Sequence, residues 1–136
     1  MNYTRALGFA VIVYVIGAVV LLLSGYRINA APSMLSYGIL WVLMIPVFLI
    51  VAKWYFHVVP PTAKAGLFLG LMTVVVGFLL DTGIVLVSGV WGSLSDFYAT
   101  VYGDWRFVVT LIEMLLLTSY AGYEFDSTYT SSGKVE

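Results

Sequence analysis

"AGLFLGLMTVVVGFLLDTGIVLVSGV", residues 65–90, carries a single charged side chain, Asp81, in a run long enough to cross a membrane. At 1.5 Å of rise per residue such a helix is about 39 Å long, against a hydrocarbon core of about 30 Å. Three further apolar runs follow the same pattern, over about 6–25, 34–56 and 104–123. Composition agrees with this reading. The chain has 136 residues, 62% of them hydrophobic and 10% charged, with a mean hydropathy of +1.03. A soluble domain carries about 25% charged residues, so too little polar material is present to cover a globule. The expected fold is all-α: a four-helix transmembrane bundle forming one integral membrane domain over 1–136, with a polar tail at 124–136.

Local signals mark the ends of the runs. Ser33, after Pro32, is placed to cap the second helix. Pro46 lies inside that helix, where it removes a backbone hydrogen bond. The double proline of "HVVPPTAK" separates the second span from the third. The first span has features of a signal peptide, with Arg5 before an apolar stretch and "INAA" after it. Its apolar core exceeds the 7–15 residues of a signal region, so a retained helix is expected.

Between the third and fourth spans lies "SLSDFYATVYGDW". Leu94, Phe97, Tyr98, Val101, Tyr102 and Trp105 fall on one face of a helix. Ser93 with Asp96 makes a capping-box-like start, and Gly103 is a natural stop. This predicts a short amphipathic interfacial helix over about 93–103, since Tyr and Trp favour the membrane interface. The alternative placement is a lid over the mouth of the bundle. Basic residues suggest the orientation. Arg5, Lys53, Lys64 and Lys134 lie on one side and Arg27 and Arg106 on the other, so both termini are expected in the cytoplasm. "LLLSG" at 21–25 and "VLVSG" at 85–89 are 64 residues apart, as are Trp41 and Trp105, the spacing that two tandem hairpins would give.

Many functions are disfavoured by what the sequence lacks. Net charge is −1 with scattered basic residues, so no nucleic-acid partner is expected. There is no cysteine and one histidine, and no HExxH motif, so neither a metal site nor thiol chemistry is expected. GxSxG, GxxxxGK[ST] and GxGxxG are also missing, which argues against an enzyme and against a cofactor. His57 and Lys53, beside Trp54, Tyr55 and Phe56, read as helix anchors at the interface. The expected partners are the lipid bilayer and either a second copy of the chain or a larger membrane complex.

The candidate site is built around the two intramembrane acids. Gly66, Gly70, Thr73, Gly77, Asp81 and Ser88 share one helical face, and Gly66 with Gly70 forms a GxxxG packing motif. Asp81 therefore points toward protein. Glu113, in the fourth span, shares a face with Arg106, Thr110, Leu117 and Tyr120. The third and fourth spans run antiparallel, which puts the two acids within about one helical turn in depth. An acid in mid-bilayer costs about 2.5–3.5 kcal/mol on insertion scales. A proton-sharing or cation-binding pair would justify that cost, with Tyr14, Thr73 and Thr110 adding oxygens and Arg106 a counter-charge. The functional expectation is a proton- or cation-linked transporter or channel-like protein. Its rival is an accessory or assembly subunit whose acids are structural or dock a partner.

Overall fold

A computed structural model describes residues 2–25 and 32–124. Among these, every element is helical. Four long helices, α1 (Tyr3–Leu23), α2 (Met34–Phe56), α3 (Ala63–Ser88) and α5 (Trp105–Glu124), are each long and apolar enough to cross a membrane. Between α3 and α5 lies α4 (Leu94–Phe97), which continues directly into a π-helical turn over Tyr98–Tyr102. The chain is thus an all-α, four-span membrane bundle, as expected. The polar tail beyond Glu124, and Arg27 in the first connection, lie outside the described residues.

Short polar side chains start the helices by accepting bonds from free backbone N–H groups. Asn2 accepts from the Arg5 amide (3.0 Å), Ser33 from Ser36 (3.2 Å) and Thr62 from Ala65 (2.9 Å). Ser93 accepts from Asp96 (3.2 Å), the start expected for the short helix. α2 continues through Pro46. α3 stops at Gly89, whose left-handed conformation (φ 65°) costs a glycine nothing.

α1 and α5 each pack against both α2 and α3, so the spans form a ring in the order α1, α2, α5, α3. α2 and α3 are therefore diagonal, and the 57–62 connection crosses the end of the bundle. A two-fold axis along the bundle would make α1 and α3 diagonal instead. The two hairpins lie side by side, so the similar words at 21–25 and 85–89 do not mark a rotational repeat. The core is made by Phe9, Tyr37, Leu40, Met44, Phe48, Tyr55, Phe56 and Leu69. A smaller cluster forms where Phe97 and Val101 of the α4 segment meet Val85 at the end of α3. Outward faces remain apolar, with Leu23, Leu35, Leu86 and Val87 all exposed, as lipid contact requires.

Candidate functional site

The two ends of the bundle are packed differently. At the end holding Tyr3 and Glu124, α3 and α5 press together backbone to backbone. A Cβ on Gly66 would overlap the Thr118 carbonyl, and one on Gly122 would overlap the Thr62 carbonyl. A Cβ on Gly70 would meet the Thr118 hydroxyl and Leu115. The GxxxG therefore serves the α3–α5 contact inside the chain. Gly122 was not singled out from sequence, although Thr118 and Gly122 repeat the small-xxx-small spacing. Gly77 lies apart from this seam, with Tyr14 of α1 its neighbour.

Toward the other end the helices part around a partly enclosed cavity of about 290 Å³. Its wall combines the second half of α1, the first half of α2, the second half of α3 and the first half of α5. The α4 segment covers it with Phe97, Val101 and Tyr102. The segment thus folds as a lid over the mouth of the bundle. The aromatic stripe packs inward, except for Trp105, which begins α5 and is exposed.

Asp81 lines this cavity. It lies about 8 Å beyond the middle of α3, and its carboxylate is held from two elements. The Tyr14 hydroxyl of α1 donates to Oδ1 (2.5 Å), and the Tyr102 hydroxyl of the π-helical turn donates to Oδ2 (2.8 Å). One residue on, the Thr82 and Tyr98 hydroxyls are 2.6 Å apart. Tyr98 and Tyr102 also pack on Phe78, stacked in one case and edge-on in the other. The α4 segment is thus fastened to consecutive residues of α3 by tyrosines four apart. Burial, and then the neighbouring Asp81 charge, push the Tyr102 phenol above its ordinary range, so it stays a donor.

The other expected members divide. Thr73 and Thr110 line the cavity with Tyr14 and Gly77. Each threonine already donates to its own helix, Thr73 to the Leu69 carbonyl (2.8 Å) and Thr110 to that of Arg106 (2.9 Å). Thr110 also accepts from the Trp41 indole at 2.8 Å. Two sequence-based expectations need correction. Among the described residues no hydrogen bond joins Asp81 to Glu113, and Glu113 does not line the cavity. Its Oε1 is buried without a hydrogen-bond partner. Equal depth did not produce a meeting, because Glu113 sits on the flank of α5 beside the wall-forming Thr110 and Met114. Nor does Arg106 serve Glu113. It turns back to Asp104, with Nη2 2.6 Å from Oδ2 and Nε 3.0 Å from Oδ1, and its guanidinium lies over the Tyr37 ring at 5.1 Å. This pairing holds the Asp104 carboxyl below the usual range.

Tyr102 was the residue missed by sequence reasoning. It stood in the aromatic stripe, but nothing in the spacing told whether the stripe met lipid or folded back on α3. No group of three or more His, Cys, Asp or Glu side chains suited to a metal occurs among the described residues.

Four apolar spans and a covered cavity with one acid in its wall define a small integral membrane protein. No protein-family model, curated protein or solved structure matches the chain.

Proposed function

We propose that this chain is a small transporter or channel-like protein for protons or cations, with Asp81 as the binding group. One observation carries the reading: Asp81 stands in the wall of a membrane-embedded cavity, held by Tyr14 and Tyr102. A charge at this depth is costly and is most often tied to a pathway or a partner. The seam packs the other end closed, so access to the partly enclosed cavity would run past the α4 segment, on the face away from the termini. With both termini in the cytoplasm, that face is extracytoplasmic. The chain would act without a catalytic residue or a cofactor.

The test is flux in proteoliposomes holding a pH-sensitive dye, under imposed proton and then cation gradients. Wild-type protein should give a flux above that of empty vesicles, and Asp81→Asn should abolish it while eluting and melting as a folded protein. Equal flux in the two proteins would remove Asp81 from the pathway.

A second reading rests on Glu113. A part-exposed acid on the flank of α5, away from the cavity, suits a basic residue on a partner's helix, as an accessory subunit would need. Co-purification from native membranes that is lost in Glu113→Gln, with flux absent throughout, would favour it.

A further inference from the structure

We infer that the Asp81 cavity takes a small organic cation with an apolar body. This deepens the transport reading and rests on it for the choice of site.

Charge comes first. Among the described residues lining the cavity, Asp81 is the only carboxylic acid, and none is Lys, Arg or His. The Arg106 guanidinium, at the start of α5, is held by Asp104 at 2.6 Å, so that pair is neutral overall and leaves the Asp81 charge unspent. A carboxylate offers about four acceptor positions. Tyr14 and Tyr102 use one on each oxygen, which leaves room for a cationic head group.

The rest of the wall decides what kind of cation fits. A hard inorganic ion such as Ca²⁺ takes about six to eight oxygen ligands. Here the threonine hydroxyls already donate to their own helices, and Thr110 also accepts from Trp41. Beyond the carboxylate and its two tyrosine hydroxyls, the surface is aliphatic and aromatic. Such a wall cannot replace a hydration shell, but it stabilises an apolar body, and rings attract a desolvated cation. Tyr37, Phe78, Trp91 and Phe107 supply those rings. At about 290 Å³ the cavity is at the small end of ligand pockets, which run to roughly 1,000 Å³. One ring and one charged head fill it.

The probe is benzyltrimethylammonium, measured by equilibrium dialysis against the full chain in lipid nanodiscs. Saturable binding is expected. Asp81→Asn should weaken it at least tenfold, and a large excess of sodium or potassium should leave it in place. Ala18→Phe, which fills the cavity from the α1 wall while keeping Asp81 and both tyrosines, should also abolish it; this variant decides the matter if Asp81→Asn does not fold. Binding that is unsaturable, or equal in wild type and both variants, is partition into lipid and overturns the inference. So does displacement by sodium or potassium. An Asp81-dependent proton flux without probe binding would sink the ligand class and leave the site; probe binding without any flux would uphold the ligand class and sink transport.

Discussion

Asp81 accepts one hydrogen bond on each carboxylate oxygen, from Tyr14 and from Tyr102, which lie 67 and 21 residues away in sequence. Hydrogen bonds to a charged group contribute about 1.5–3 kcal/mol each. Two of them offset the insertion cost of about 2.5–3.5 kcal/mol for a mid-membrane acid. Tyr14→Phe and Tyr102→Phe should therefore each lower unfolding stability in detergent by about 1–3 kcal/mol. Because both bonds act on one carboxylate, the double variant should depart from the sum of the singles. Strict additivity would show that the tyrosines do not share a partner. At this scale the sequence was only half legible. A carboxylate on a glycine-lined helical face announces that it points into protein. Its donors come from the first span and from the segment after the third, and no local period reports such distant neighbours. Glu113 shows the same limit, since depth can be read from rise per residue whereas a flank position depends on helix rotation.

The helices themselves were the most legible part. α2 occupies the residues expected, and the other spans differ from expectation by one to three residues at their ends. Apolar length and short polar caps are local properties, and they decide where a span begins and stops. The contact made by a glycine is not local. Gly66 and Gly70 could have served another copy of the chain, and the structure uses them for α5. Gly66→Ala should cost about 1–3 kcal/mol or more, because the added methyl meets backbone that cannot move aside. Gly38→Ala, with open space around its Cβ, should instead stabilise α2 by up to about 1 kcal/mol. Equal effects in the two variants, in denaturant titrations in detergent, would argue against the α3–α5 seam. The start of α5 carries a pH dependence. Asp104 accepts from the Arg106 backbone amide (2.9 Å) as well as from its guanidinium. Its carboxyl lies below the usual range, so its support is complete above the unfolded-chain value of about 4 and is lost as pH falls through the lower folded value. Thermal unfolding followed from pH 5 to pH 2 should fall more steeply in wild type than in Asp104→Asn. Parallel curves would mean that the pair does not support the helix.

At the scale of the molecule, the lengths of the apolar runs identified four spans, while the order of those spans around the ring lay beyond reach. Several rings satisfy the same apolar faces, and only side-chain fit between helices selects one. The lid posed the same difficulty: a stripe of tyrosines suits a membrane interface and a bundle mouth alike. The absence of native cysteine makes the resulting architecture easy to probe. A single cysteine at Ala18, part-exposed on the cavity wall, should react with a membrane-impermeant maleimide from the face opposite the termini. Cysteines at Ala10 and Ala121, buried in the half of the bundle that holds the termini, should stay protected. The reverse pattern would place the open end on the wrong side of the bundle.

The glycine seam also makes α3 a lever arm. Gly66 is pinned against α5, and Asp81 lies fifteen residues further along the same rigid helix, about 22 Å away. A tilt of about 5° about the pinned end would carry the carboxylate sideways by about 2 Å, enough to break the 2.5 Å hydrogen bond from Tyr14 of α1. An angular change small enough to leave the seam packed would thus part Asp81 from a tyrosine rooted in a neighbouring element. The α4 segment, fastened to α3 through Thr82 and Phe78, would swing with it away from α1 while the far end held its seal.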